Sequence, residues 1–448
     1  MAAAPFSSRL WSPVEALPPS VARAVQDERL REQVAYLAGN SEFYQTKFAE
    51  HGLDPDTIQS VDDLARVPFT EKSELRASLA SSPPLGSHVA AAQSDIVQIQ
   101  ASSGTSGSPS YVGLTAEDVT TWCELGARAL YANGLRPGDR ALHTFGLSKG
   151  FVGGIPIWQT LQYMGIVDIP IGAEAGAERL LRVMADQRPN ALVGTPYFVA
   201  HLATQAPGIT GLAASELGVE RISVGGEPGG GLPGVREAIE TAWGASCHEM
   251  LGGTDLGCTY WGECEVGDGM HFLSPDLMIA ELIDPLSGER VDPVEGADGE
   301  LVYTALRRRA SPLLRFRTRD HVVITGTGCA CGRTGYKLRC VGRTDDMLIV
   351  RGINVFPSAI KSLVAELAPA TTGEMRIRPD FEGHTTQRPL PLVVEYARGM
   401  SVEQQAQLKD TIVARVRSAL NIKTVVDLVP DGTLKRPDHL KVALIERQ

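Results

Sequence analysis

Residues 102–110 read Ser-Ser-Gly-Thr-Ser-Gly-Ser-Pro-Ser, a run with the glycines and hydroxyls of a phosphate-binding loop but no lysine. Glycine lets successive backbone N–H groups turn inward as an anion-binding nest, and serine and threonine hydroxyls add donors. A Walker A loop would end in Gly-Lys-Ser/Thr, whereas Gly107 is followed by Ser108 and Pro109. The run therefore reads as an anion nest or, more plainly, as a solvated turn. A second constellation is Cys264, His271, Cys329 and Cys331, spaced C-x6-H and C-x-C. Three thiols and an imidazole suit a tetrahedral zinc ion, and four protein ligands would leave no open position for catalysis. The alternative is burial as small apolar groups, and Cys247, His248 and Cys258 lie close enough in sequence to replace one ligand.

These groups need elements to position them. The glycine run has a strand-like lead, QIQA, and a strand-like continuation, YVGLT. Before it the chain reads as mostly helical, with SVARAVQDERLREQVAYLAG rich in helix formers and stopping at Gly39. Between 138 and 225 the short apolar runs ALHTFGL, GIVDIPI, NALVGTP and RISVGGE end in glycine or proline, and the helical GAERLLRVMADQ lies between two of them. That alternation predicts an α/β unit with a parallel sheet and ligand-binding loops at the strand ends. From about 276 the texture turns to strands and turns, as in LMIAELIDPLSGERV and GELVYTAL. After GRTDD at 342–346 come a helical NVFPSAIKSLVAEL, a strand LPLVVEY, an amphipathic helix SVEQQAQLKDTIVARVRSAL and a strand TVVDLV. Leu408, Ile412, Val416 and Leu420 form the helix's apolar stripe. The expected organisation is a large domain, residues 1–341, with parallel sheets flanked by helices and a strand-rich subregion, then a small α+β domain, 342–448.

A chain of 448 residues exceeds one hydrophobic core, which agrees with two domains. A hydrophobic share of 43% with 21% charged residues places it among soluble globular proteins. The net charge of −11 argues against nucleic acid or an anionic membrane as the main partner. No apolar run reaches the roughly 18 residues of a membrane span, and MAAAPFSSRLWSP lacks the pattern of a secretory signal. The expected compartment is the cytoplasm. Seven cysteines, an odd number clustered between 123 and 340, do not suggest a disulfide scaffold.

Five segments stand in one order: SSGTSGSP, GGEPGG at 225–230, LGGTD at 251–255, RFRTRD at 315–320 and GRTDDMLIVRGINVFPSAI at 342–360. In this the chain resembles the adenylate-forming superfamily of acyl-CoA synthetases, adenylation domains and luciferases. The segments EFYQTKFAEHGLDPDTIQSVDDLARVPFTEKSELR and CACGRTGYKLRCVGRTDDMLIVRGINVFPS resemble its phenylacetate–coenzyme A ligase-like branch. The resemblance covers essentially the whole chain. It implies an acid–thiol ligase: a carboxylate attacks the α-phosphorus of ATP with Mg2+ present, and a thiol then displaces AMP. The glycine run (Ser102, Ser103, Gly104, Thr105, Ser106, Gly107) would hold the departing β/γ-phosphates. That branch often has lysine where Ser108 stands.

The resemblance also implies roles. Gly225, Gly226, Glu227 and Pro228 would line the adenine pocket. Thr254 would contact the α-phosphate, and Asp255 would bind magnesium, an oxygen-seeking cation that a shorter acid than the usual glutamate still serves. Leu251 stands where a tyrosine commonly packs on adenine. Asp320 would accept the ribose hydroxyls, with an ion pair to Arg317 or Arg319 as the alternative. Arg343 would approach the nucleotide, Asp345 would be the hinge between lobes, and RGIN at 351–354 would face a pantetheine tunnel. The catalytic lysine is Lys441 or Lys435, with Lys441 preferred. Phe145, Phe151, Trp158 and Tyr197 would wall an acyl pocket for a small aromatic acid, although aromatics at such spacings also build plain cores. The zinc cluster has counterparts in that branch. Coenzyme A is the expected thiol, with a carrier-protein phosphopantetheine as the alternative acceptor and a homodimer left open. A catalytically inactive, zinc-stabilised nucleotide-binding protein is the reading from another class.

Overall fold

A computed structural model describes residues 9–102, 110–148, 150, 152–434 and 443–447. Its centre is a single twelve-stranded sheet. One half is parallel. Strands Val167–Ile169, Arg140–His143, Ala191–Gly194, Arg221–Val224 and Ser246–Gly253 lie side by side in that order, joined by crossover helices that include Gly176–Gln187 and Pro196–Thr210. Three of these strands fall within the apolar runs GIVDIPI, NALVGTP and RISVGGE, and Arg140–His143 begins one residue before ALHTFGL. Such runs are expected of strands buried on both faces. One face packs Leu142, Leu192 and Ile222 against Leu180, Val199 and Trp243. The other packs Ala141, Ala191 and Val193 against Leu130, Ile157 and Leu161.

At Ser246–Gly253 the sheet changes character. The next strand, Gly257–Glu263, folds back antiparallel, and the remainder runs on through Met270–Phe272, Lys337–Arg343, Phe316–Gly326, Asp298–Ala305, Met278–Ile283 and Arg290–Val291. The strand-rich texture expected after 276 is thus the second half of the same sheet. The glycine run is flanked by an antiparallel pair, Ile96–Ala101 and Tyr111–Thr115. The N-terminal helices Pro19–Asn40 and Glu42–Glu50 close over Ile279, Leu306 and Leu314. The first of them runs one residue past the stop expected at Gly39, to Asn40, where Ser41 caps the second helix through the Tyr44 N–H.

The strand Lys337–Arg343 still belongs to the large sheet. Beyond it, Leu348–Val350, Ile353–Val355 and Thr385–Thr386 form one small sheet, and Thr371–Ile377, Leu390–Tyr396 and Thr424–Pro430 form another. Helices Pro357–Ala365 and Val402–Leu420 cover a separate core of Leu348, Met375, Leu392 and Val426. In the second helix Leu408, Ile412 and Val416 are buried, whereas Leu420 is only half-buried at its end.

Candidate active site

The predicted nucleotide motifs gather where the parallel half meets the antiparallel half. The loop opening at Gly225 leaves strand Arg221–Val224, and Gly225 donates its N–H to the Gly194 carbonyl at 3.0 Å. A Cβ there would stand 2.4 Å from the Met250 carbonyl oxygen, so only glycine fits. Gly226 has φ +87° and is exposed, with Phe145 and Thr195 each 3.7 Å from where its Cβ would be. Glu227 and Pro228 follow, half-buried. This places Phe145, from the end of its own parallel strand, against the candidate adenine loop.

Thr254 and Asp255 occupy the tight turn between Ser246–Gly253 and Gly257–Glu263. Asp255 is buried, and its Oδ2 lies 2.7 Å from the Lys72 ammonium. Its carbonyl accepts from the buried Arg308 guanidinium. Lys72 is the first residue of helix Lys72–Ser81, whose cap Glu71 pairs with Arg319 at 2.6 Å. Leu75, His88, Ser110, Tyr111 and Asp255 line one small crevice, which brings the exit of the glycine run beside Asp255. Burial pushes His88 down to about 4, against the charge of Asp255, so it stands there neutral. Ser102 and Ser110, the described flanks of the run, bond through their hydroxyls at 2.9 Å. Ser103, Gly104, Thr105, Ser106 and Gly107 lie outside the described residues.

Asp320 sits on strand Phe316–Gly326 directly opposite Arg343. Arg343 Nη1 is 3.7 Å from Asp320 and donates to the Thr318 carbonyl at 3.1 Å, while its other nitrogens grip Asp345 at 2.8 and 2.7 Å. Arg317 instead pairs with the buried Glu300 at 2.8 Å, and Arg319 turns to Glu71. Burial pushes the Tyr260 hydroxyl well above the ordinary phenol range, and the charges of Asp320 and then Asp255 push it further. The charges of both candidate nucleotide carboxylates therefore act on one buried phenol.

Of the expected acyl-pocket residues, Tyr197 is half-buried, and burial of its hydroxyl pushes that group's pKa well up. Its ring carries the Lys361 ammonium 3.4 Å from the centroid. Lys361 is fully buried, with Glu374 at 3.7 Å, and desolvation lowers its pKa. It lies on helix Pro357–Ala365, so a side chain from the C-terminal segment caps this wall. Trp158 is half-buried on helix Ile155–Tyr163. Phe151, Lys441 and Lys435 lie outside the described residues.

Cys264, His271, Cys329 and Cys331 converge: their ligand atoms all lie within 4.8 Å of one another. Cys264 Sγ is 3.6 Å from Cys329 Sγ and 3.4 Å from His271 Nε2, which is 3.6 Å from Cys331 Sγ. A tetrahedral zinc with bonds of about 2.3 Å to sulfur and about 2.0 Å to nitrogen spaces its donors roughly 3.5–3.8 Å apart, so the set fits that ion. Around it, Arg333 pairs with the buried Glu15 at 2.8 Å, and Lys337 pairs with Asp268 at 2.5 Å. The other candidates go elsewhere. Cys247 packs in the parallel core and Cys258 against the opposite face, and burial pushes each thiol up to about 12. Lys72, Glu71, Arg236 and Lys361 are the neighbours that sequence reasoning missed; each reads in isolation as an ordinary helix or cap residue.

Residues 352–447 match the family described as "AMP-binding enzyme C-terminal domain". Phenylacetate–coenzyme A ligase of Pseudomonas putida is 31% identical over 433 residues, covering 96% of this chain and 95% of that protein. The enzyme of the same name from Thermus thermophilus is 30% identical over 445 residues, covering 96% and 97%. The chain belongs to the adenylate-forming superfamily, in its phenylacetate–coenzyme A ligase-like branch. It is an AMP-forming acid–thiol ligase, acting through an acyl-adenylate on an acid, ATP and coenzyme A. Among solved structures, a 2-hydroxyisobutyryl-CoA ligase in its postadenylation state matches with TM-score 0.92 at 28% identity, covering 100% of this chain and 94% of that one. In its thioesterification state the same ligase matches at only 0.73 over the same shares. The arrangement described above is thus closer to the postadenylation one. Among the described residues, no helix is long and apolar enough to cross a membrane.

Proposed function

We propose that this ligase activates a small aromatic acid of the phenylacetate, benzoate or anthranilate type and transfers it to coenzyme A. The observation that carries the reading is full-length similarity, at 30–31% identity, to two enzymes named phenylacetate–coenzyme A ligase. The placement of Phe145 against the Gly226 loop supports it, since a flat apolar wall beside the nucleotide suits an aryl group. A second reading, a short branched hydroxy acid, is favoured by the likeness to a 2-hydroxyisobutyryl-CoA ligase.

In the first half-reaction a carboxylate oxygen bonds to the α-phosphorus and the bond to pyrophosphate breaks. Thr254 contacts the α-phosphate, Gly225, Gly226, Glu227 and Pro228 line the adenine, and Asp320 and Arg343 hold the ribose side. The run Ser102–Gly107 steadies the leaving pyrophosphate. Asp255 is the residue that would hold magnesium, which neutralises phosphate charge when bound; the Lys72 ammonium at 2.7 Å marks that carboxylate as a cation-facing group. In the second half-reaction the thiol sulfur bonds to the acyl carbon, AMP leaves, and the thiol proton is lost. The chain divides into a large lobe, 1–341, and a small one, 342–448, which turns about Asp345 between the two steps, and Lys441, or failing it Lys435, serves the first. The Cys264–His271–Cys329–Cys331 set holds a structural zinc.

The test is AMP production from ATP and coenzyme A with phenylacetate, benzoate, anthranilate and 2-hydroxyisobutyrate. Turnover led by an aryl acid is expected. Preference for 2-hydroxyisobutyrate would replace the aryl reading, and pyrophosphate release without turnover of coenzyme A would point to a carrier-protein acceptor.

A further inference from the structure

The candidate adenine loop and the cysteine cluster come from segments far apart in the parallel and antiparallel halves, and one side chain touches both. Arg236 lies on helix Pro233–Trp243, just after the adenine loop. Its Nε donates to the Gly230 carbonyl at 2.8 Å, its Nη1 to the Gly267 carbonyl at 3.0 Å and its Nη2 to Glu263 at 2.5 Å. Gly230 closes the adenine loop. Gly267 is the turn between Cys264 and His271, and its own N–H bonds to the Cys264 carbonyl at 3.0 Å. Glu263 immediately precedes Cys264 and is almost fully buried. Its Oε2 also accepts the Glu249 N–H at 3.0 Å. The Glu249 carboxyl in turn packs under the loop, 2.4 Å from where a Cβ on Gly231 would stand.

A guanidinium is suited to this place because its N–H groups form a rigid planar fork that can serve several acceptors at once. Remove it and the Gly230 and Gly267 carbonyls lose this donor while the buried Glu263 carboxylate loses its cation. A metal held by the cluster would fix Cys264 and His271, the residues on either side of the Gly267 turn. Besides a metal, Arg236, the Cys264 carbonyl bond and the Asp268–Lys337 pair hold the Gly267 turn in place.

We infer that Arg236 is a positioning residue that transmits metal occupancy of the cysteine–histidine clip to the adenine loop, so that nucleotide affinity depends on the metal. The inference rests on the zinc and adenine-loop readings above. It makes the clip a determinant of ATP binding as well as a local staple.

The experiment measures ATP binding by calorimetry for the full-length wild-type protein and for Arg236→Met, each as purified with its zinc and after chelation. Metal content and melting temperature are recorded alongside. Chelation is expected to weaken ATP binding by about tenfold in the wild type, within the usual range of coupling between two sites. Arg236→Met should show a similar loss while keeping its metal, and chelation should then cost it little more. Arg236→Lys, which keeps the charge but not the fork, should fall between. KM for the acid and for coenzyme A should not move in any of these. Equal losses on chelation in both proteins, or wild-type affinity in Arg236→Met, would overturn the coupling and leave the clip standing. A wild-type protein that takes up no zinc even on reconstitution would overturn the clip reading itself, whatever Arg236→Met does. Chelated protein that melts below the assay temperature is replaced by Cys329→Ser, at a half-buried ligand, and judged by the same two comparisons.

Discussion

The seven-residue strand Lys337–Arg343 joins two regions of opposite character. At its start, Lys337 stands opposite His271, and the surrounding groups are buried and bonded within one lobe. Arg333 and Glu15, 2% and 0% exposed, pair there, and Thr334 bonds to the Glu15 carbonyl. At its end, Arg343 and Asp345 are 42% and 51% exposed and grip each other in water. Among the described residues, contacts that continue past that point include Phe356 on the His321 ring, the Ser358 hydroxyl on the Val341 carbonyl, Lys361 on Tyr197, and Ala365 against the core of the parallel half. One strand thus runs from a buried ion pair to a solvated one that costs little to break. If the small lobe turns about Asp345 as proposed, that gradient would let it move while the candidate nucleotide groups stay still.

The contrast can be broken from its anchored end first. Arg333→Met leaves Glu15 buried without its cation, which should cost about 3–5 kcal/mol in a urea melt at pH 7. A loss under 1 kcal/mol would mean the region is not anchored as described. The middle of the strand offers a pH test. Glu249, which faces Arg339, is pushed up to about 7 from 4.5, chiefly by burial, with the Gly231 N–H pulling the other way. Because the folded state keeps this proton longer than the unfolded chain, stability is full below pH 4.5 and falls as pH rises to about 7. The difference amounts to about 3 kcal/mol at 1.36 kcal/mol per pH unit. Glu249→Gln should flatten that slope between pH 5 and pH 8, and an unchanged slope would assign the proton elsewhere. The smallest effect on stability belongs to the exposed end. Asp345→Ala removes a solvated pair worth about 0–1 kcal/mol, so the melt should barely shift while kcat and KM for the complete reaction change together. A large stability loss there would place the anchor, not the hinge, at residue 345.

Local pattern revealed much of this. The helix Gly176–Gln187 and the strand Leu390–Tyr396 coincide with their sequence segments, because period and flanking glycine or proline specify them locally. The order of motifs singled out Thr254, Asp255, Asp320 and Arg343, of which the first two lie in the turn after Gly253, Asp320 within strand Phe316–Gly326 and Arg343 at the end of its strand. The C-x6-H and C-x-C spacing selected four residues that do converge, while Cys247 and Cys258 have environments no spacing reveals. What stayed hidden is pairing over distance. The antiparallel strands read as a separate strand-rich subregion, because a hairpin's register with a distant parallel sheet leaves no local trace. Nothing local to Lys72 announces its partner, which lies 183 positions away. Lys361 sits in an amphipathic segment where a lysine is ordinarily exposed, and only the approach of Tyr197 shows it buried.

The hairpin that carries Thr254 and Asp255 has a bearing on how such proteins can be recombined. Its first strand hydrogen-bonds to the parallel neighbour Arg221–Val224, and its second to the antiparallel neighbour Met270–Phe272. A crossover point placed inside 246–263 would cut through the seam of a continuous sheet. Grafting a foreign acid-recognition half onto this chain therefore requires the joint to fall outside those residues, so that both arms travel as one inherited cassette.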